Sequence, residues 1–363
     1  MENEIKITCL HDRHKALGAL MSPFAGYDMP IEYAGLDAEH LAVRNKVGVF
    51  DVSHMGEVSV EGPEATKYVN HIFTGDVSTM TNGQCLYGMM TNPKGGVVDD
   101  LLVYRYNADK YLLVINAANI AKDIAWITEH AGNYDVRISD LCEKYGQLAV
   151  QGPEAETILN DVLGIDGSDL TFYTFKELAD GRIVSRTGYT GEDGFEIYAS
   201  PSETVEMWDK LMDAGVQPCG LGCRDTLRFE AGMPLYGDEL TDEISPIQAG
   251  LGMFVKLDKP EGFIGSEALA LEKAEGPKRK VVGLELQGGA TARHGFEVLD
   301  GEGNVIGEIT TGYNSISVGK NIAMAIIDAS FSKLGTEVFV KIRRKTVPAT
   351  VVKKRFYTTN YKK

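Results

Sequence analysis

The sequence contains no run of about 18 apolar residues, so no membrane-spanning helix is expected. It has no surplus of positive charge: 36 Lys and Arg stand against 52 Asp and Glu, a formal charge of −16. Nucleic acid is therefore a poor match as partner, because phosphate binding asks for a net basic footprint. Its first residues, Met-Glu-Asn-Glu-Ile-Lys, show neither a basic, apolar signal segment nor an Arg-rich transit pattern, and the expected location is cytoplasmic. Cysteine is scarce. Cys9, Cys85, Cys142, Cys219 and Cys223 form an odd set in a chain long enough to fold without disulfides. Cys219 and Cys223 would share a helix face, but no His or Cys cluster joins them, so buried thiols are expected and no metal. Dinucleotide, P-loop, Gly-x-Ser-x-Gly and His-Glu-x-x-His signatures are lacking too, and no bound nucleotide is expected.

What is present describes a globular protein. With 363 residues, 44% hydrophobic and 24% charged, the chain has material for two or three domains. Its charge is uneven. Residues 276–363 carry 15 Lys and Arg against 7 Asp and Glu, or +8, which leaves −24 for residues 1–275. A domain boundary near Glu275 follows from charge alone.

Val-Glu-Gly-Pro-Glu-Ala (60–65) and Val-Gln-Gly-Pro-Glu-Ala (150–155) repeat one pattern. Each reads as a strand, a turn, and a helix with Pro at its first position and Glu in its first turn. The apolar steps that follow, Ala65, Tyr68, Val69, Ile72 and Ala155, Ile158, Leu159, Val162, mark helices packed on sheets. Hairpins are predicted at 100–116 around Asn107-Ala108 and at 183–199 around the loop 187–194. Five strands are predicted within 276–363, at 281–286, 297–299, 305–310, 338–342 and 350–352. The fold class is thus α+β: a duplicated strand–helix core with antiparallel sheets in residues 1–275, and a C-terminal all-β, barrel-like domain in residues 276–363.

Several polar residues stand where the pattern expects apolar ones. Asp99 and Asp100 interrupt a buried-type strand, Gly95-Gly-Val-Val-Asp-Asp-Leu-Leu-Val-Tyr104; alternation puts Asp100 and Tyr104 on one face and Asp99 on the other. The plain alternative is an Asp capping a turn. Glu196 lies between Phe195 and Ile197, where an exposed edge-strand Glu is equally plain. Arg224 opens a helical stretch beside Asp225, a ready surface partner, and His54 lies between Ser53 and Met55, where a core histidine is the ordinary reading.

Taken together these segments resemble a known family. Phe24-Ala-Gly-Tyr-Asp-Met-Pro30, Phe50-Asp-Val-Ser-His-Met-Gly56, Gly95-Gly-Val-Val-Asp-Asp-Leu101, Gly188-Tyr-Thr-Gly-Glu-Asp-Gly-Phe-Glu196, Cys223-Arg-Asp-Thr-Leu-Arg-Phe-Glu-Ala-Gly232 and Thr359-Asn-Tyr361 are similar, in order and over nearly the whole chain, to the aminomethyltransferases (T-proteins) of the glycine cleavage system. The resemblance implies a three-domain, cloverleaf-like arrangement around a central tetrahydrofolate site. It implies transfer of the methylene carbon from an aminomethyl group on the lipoyl arm of H-protein to tetrahydrofolate. The products would be 5,10-methylenetetrahydrofolate, ammonia and dihydrolipoyl H-protein.

By the same resemblance, Asp100 is the catalytic carboxylate beside the reacting folate nitrogens. Glu196 and Arg224 are the pterin-binding acid and base, and Tyr361 a further contact. Met55, Tyr87, Tyr104, Asn116 and Tyr189 would line the folate cavity, while His54 stays an orienting residue. Tetrahydrofolate and lipoylated H-protein are the implied partners, and neither metal nor nucleotide is. Two departures, Ser266 after Phe263-Ile-Gly265 and the stretch Ser315-Ile-Ser-Val318, touch docking or packing rather than chemistry. Another folate-dependent demethylase on the same scaffold, or a non-catalytic folate-binding protein, is the alternative.

Overall fold

The computed structural model describes residues 5–132 and 134–362. Both Gly-Pro-Glu segments fold as strand and helix: Gly56–Glu61 precedes Ala65–Ile72, and Gly146–Gln151 precedes Ala155–Asp161. The helices start two residues later than expected. Gly62 and Gly152 adopt positive φ, and their carbonyls accept the N–H of Ala65 and Ala155 at 3.0 Å, so Pro63 and Pro153 are spent in a turn. Ala65, Tyr68, Val69 and Ile72 are all buried, as are Ala155 and Leu159; Ile158 and Val162 are half-buried at the rim of the same core. Each full burial of a large side chain contributes about 2 kcal/mol.

The two units belong to different sheets. The first lies in a five-stranded antiparallel sheet ordered Gln84–Thr91, Val97–Asn107, Lys110–Ile115, Gly56–Glu61, Arg137–Asp140. The second lies in a six-stranded sheet ordered Phe175–Glu177, Ile183–Ser185, Gly194–Ala199, Gly146–Gln151, Gly48–Asp51, Gln217–Pro218. Both predicted hairpins form, with Asn107 opposite Lys110 and Ser185 opposite Glu196. The sheets join where Gln84 bridges Thr174 and the Tyr104 ring meets Phe175 and Tyr198 edge-on.

Residues 279–352 form a closed six-stranded barrel. Its strand Asn321–Asp328 was absent from the sequence expectation. Six consecutive buried residues, Ile322–Ile327, serve the barrel interior on one face and the neighbouring domain on the other, which erases alternation. Val281, Ile322, Met324 and Ile326 pack with Met89, Val97 and Phe229, fastening the barrel to the five-stranded sheet and to helix Leu221–Glu230. Beyond the barrel the chain returns over that helix. The N–H groups of Phe356 and Tyr357 donate to the Glu230 carbonyl, and that of Asn360 to the Gly191 carbonyl. Among the described residues no helix is long and apolar enough to cross a membrane.

Candidate active site

Asp100 enters from the strand Val97–Asn107. Strand pairing slips by one residue near it, with Met90 opposite Asp99 but Thr91 opposite Val97, a bulge of the kind that re-aims side chains beside active sites. The Tyr87 hydroxyl donates to Asp100 Oδ2 at 2.8 Å from the neighbouring strand. The Asn116 amide, just past the strand Lys110–Ile115, donates to Asp100 Oδ1 at 2.9 Å and to Asp99 Oδ1 at 2.9 Å. Asp99 is buried on the opposite face and also accepts the Asn116 backbone N–H at 3.0 Å and the Asn119 amide at 2.7 Å. Desolvation and the charge of adjacent Asp99 push the Asp100 carboxyl up from 3.8 to about 7, against the two hydrogen bonds. A carboxyl that exchanges its proton near neutrality suits general base work.

Glu196 comes from the other sheet. Its strand, Gly194–Ala199, is central and buried at every residue, so Glu196 is not an exposed edge residue. Thr187 donates to its Oε2 at 2.5 Å and Gln147 to its Oε1 at 3.1 Å. Burial raises its titration, and Thr187 and Arg224 oppose the rise. Arg224, on helix Leu221–Glu230, lies over the Tyr189 ring at 4.5 Å. It does not pair with Asp225, which is held by Arg228 at 2.7 Å and by the Tyr313 hydroxyl. Among the described residues Arg224 has no salt-bridge partner within 4 Å, so its donors remain available.

The loop between these strands is shaped by glycine. A Cβ on Gly188 would fall 2.0 Å from the Gln151 amide, and Gly191 holds φ +84° where the tail residue Asn360 docks. Tyr189 is thereby held with its hydroxyl on the Pro234 carbonyl, within electrostatic reach of both Asp100 and Arg224. Tyr361 stacks on Phe172 at 4.1 Å, and burial lifts its phenol to about 12. Tyr173, the next residue, bears a strained φ of +64° and faces both Tyr361 and Glu196. These groups therefore set a near-neutral carboxyl on one side, a carboxylate with an unpaired arginine on the other, and aromatic rings near both.

His54 is buried edge-on to Phe24 and Tyr27, with Nδ1 lacking a partner among the described residues. Burial and Arg224 lower its titration to about 4, so it faces the site as a neutral imidazole. A separate groove of about 490 Å³, lined among others by Ser59, Tyr106, Lys144 and Glu203, opens away from these groups. Glu39, Cys219 and Cys223 also gather, but Glu39 already accepts three backbone N–H groups at 2.6, 2.9 and 2.8 Å, and the Cys219 thiol points at backbone carbonyls.

Comparison with known proteins identifies the family. Residues 10–259 match the GCVT N-terminal domain family and residues 279–358 the glycine cleavage T-protein C-terminal barrel domain. The chain is 49% identical to an aminomethyltransferase of Alkaliphilus oremlandii, covering 99% of this chain and all of the relative. It is 46% identical to one of Clostridium botulinum (strain Kyoto / Type A2), covering 99% of each. The crystal structure of glycine cleavage system aminomethyltransferase T from Bartonella henselae superposes with a TM-score of 0.95 at 35% identity, over 99% of this chain and all of that one. The chain belongs to the glycine cleavage T-protein family. Its function is that of an aminomethyltransferase of the glycine cleavage system, a transferase of the tetrahydrofolate-dependent kind.

Set beside what the T-protein resemblance implied, the structure links Asp100, Tyr87, Asn116, Tyr189, Arg224, Glu196 and Tyr361 through contacts and charge effects in one region. Met55 is half-buried between the cores flanking it. Tyr104 stands apart. It is fully buried, and its hydroxyl is engaged by Tyr198 at 2.9 Å and Ser185 at 3.0 Å, so it offers no surface to a ligand. It acts behind Glu196, since Tyr198 also meets the Gln147 amide at 3.1 Å. Sequence reasoning missed Gln147, Thr187 and Tyr173. Gln147 had a signal: with Ala149 and Gln151 it puts two amides on one face of a strand that is otherwise apolar.

Proposed function

We propose that this region receives tetrahydrofolate with its pterin against Glu196 and Arg224 and its reacting nitrogens toward Asp100. There the methylene of an aminomethyl group on the lipoyl arm of H-protein is transferred. The observation that supports this most is the pairing of opposite polarities: a carboxylate and a free guanidinium at one end, an Asp titrating near neutrality at the other. Pterin offers adjacent N–H donors to a carboxylate and a carbonyl to an arginine. As a folate nitrogen attacks the methylene it gains positive charge, which Asp100 stabilises before taking the proton. The carbon–nitrogen bond to the amino group and the carbon–sulfur bond both break. The two protons shed by the folate nitrogens balance the ammonia and the thiol released. Tyr189 and Tyr87 offer ring faces to the flat substrate, and Tyr361, stacked on Phe172, adds a further aromatic contact from the C-terminal tail.

The carrier would approach the basic barrel. Lys278, Arg343, Arg344, Lys345 and Lys353 are exposed and form no salt bridge among the described residues, which leaves them free to steer an acidic partner. Lys354 does not belong with them, because its ammonium is turned inward onto the Ala249 carbonyl. Purified protein supplied with tetrahydrofolate and aminomethyl-loaded lipoyl H-protein is expected to release ammonia and methylenetetrahydrofolate. Absence of both products, with turnover of a free methylated amine or thioether instead, would overturn the reading.

A further inference from the structure

Behind Asp100 lies a carboxyl group that accepts no hydrogen bond among the described residues. Asp123, on helix Ile120–Glu129, is fully buried, and neither of its oxygens has a hydrogen-bond partner among the described residues when it is taken as ionised. Its carboxyl lies within hydrogen-bonding reach of Asp99. The nearby Lys122 ammonium is 3.8 Å away and is engaged by the Val98 carbonyl and the Tyr236 hydroxyl. Two ionised carboxylates meeting in such a place would repel, with no donor between them. Asp99 is furnished for charge, since it accepts three N–H groups from Asn116 and Asn119, whereas Asp123 accepts none.

We propose that Asp123 is a neutral carboxylic acid that donates its proton to Asp99 in a hydrogen bond, and so positions the Asp99–Asn116–Asp100 array behind the transfer reaction. The direction of its titration agrees, because burial first and Asp99 second push it up to about 11. The arrangement limits charge behind Asp100 to one anion. A second would hold Asp100 protonated at neutral pH and unable to take a proton. Asp123 thus acts as a positioning residue through Asp99. The groups facing Asp100 are Asp99 on its own strand, Tyr87 from the adjacent strand, Asp123 from the helix and Tyr189 from the loop. The inference rests on Asp100 being the group that faces the folate nitrogens.

Two measurements test it. Isotope-edited infrared difference spectra of wild type minus Asp123→Asn, taken above the range in which Asp100 titrates, should show loss of a carboxylic-acid C=O band. In the pH profile of kcat/KM, Asp99→Asn should move the limb of Asp100 to lower pH by about one unit or more. Asp123→Asn, which retains an N–H donor, should leave that limb in place. Asp123→Ala should lower kcat by about tenfold or more with little change in KM for tetrahydrofolate, and Asp123→Asn should recover most of that loss. No loss of an acid band, or an Asp123→Asn limb shifted as far as that of Asp99→Asn, would show that Asp123 is ionised and overturn the proposal. Should Asp100→Asn itself turn over normally, the reading of Asp100 falls while the infrared result still decides the state of Asp123.

Discussion

Asp100→Asn is expected to make the protein less active and, at alkaline pH, more stable. In the folded chain Asp100 titrates near 7 instead of 3.8, because it is largely desolvated and lies beside the charge of Asp99. Between about pH 4 and 7 the folded state therefore binds more protons than the unfolded one, and stability falls as pH rises through that window. An interval of about 3 units at 1.36 kcal/mol each sets a ceiling of about 4 kcal/mol, of which partial solvent exposure leaves about half. Asparagine removes that penalty but has a single acceptor oxygen where the Tyr87 hydroxyl and the Asn116 amide now donate to two. One donor then faces an NH₂, at a cost of about 1 kcal/mol. The variant should thus melt below wild type at about pH 4 and above it at about pH 8, the difference swinging by about 2 kcal/mol. Paired thermal melts across that range read the crossing, and carrier-dependent turnover should fall about 100-fold or more with folate affinity nearly unchanged. A melting difference that does not change with pH, or full turnover, would refute the assignment of Asp100.

Glu196→Ala should weaken tetrahydrofolate binding by about 10- to 100-fold by calorimetry while kcat holds, since a charge-assisted contact worth about 1.5–3 kcal/mol is lost; unchanged affinity with a fallen kcat would contradict its role. Arg44 joins Glu192 at 3.0 Å and Glu230 at 3.2 Å and carries the Tyr357 ring at 3.9 Å, so it clamps the C-terminal tail to the site. Arg44→Met should cost about 3–5 kcal/mol by taking the guanidinium away from two buried carboxylates, and should expose residues 353–362 to limited proteolysis. Reversing Arg343 and Arg344 to Glu should slow carrier-dependent turnover at low salt and not at high salt, with folate affinity unaffected. An unchanged rate at low salt would remove the barrel's basic face from carrier docking.

Local regularity was legible in the sequence, and convergence was not. The Gly-Pro-Glu repeats and both hairpins follow from helix periodicity and turn residues, and five barrel strands from β-branched or alternating runs between turns. Ile322–Ile327 escaped because it is buried on both faces and shows no alternation. The departures at Ser315 and Ser317 also acquire a physical meaning only in the fold, where both bond the Glu230 carboxylate and tie the barrel to the helix that carries Arg224.

The site shows the same division. Asp100 and Glu196 could be singled out because each puts charge into a strand that is otherwise apolar. What makes them chemical is supplied by residues far along the chain: Gln147 lies 49 residues from Glu196, and Asp123 reaches the Asp99–Asp100 pair only because helix Ile120–Glu129 folds back behind their strand. A lone buried carboxylate costs several kcal/mol, so a chain that retains one must hold donors for it elsewhere in the sequence. The search for those donors is what a sequence cannot direct, because Asn116, Asn119 and Thr187 are ordinary turn and strand-end residues until the fold aims them. The polar interior of this protein is therefore largely a record of pairing, and Asp123, whose carboxyl accepts no hydrogen bond among the described residues, is a place where that record calls for a proton.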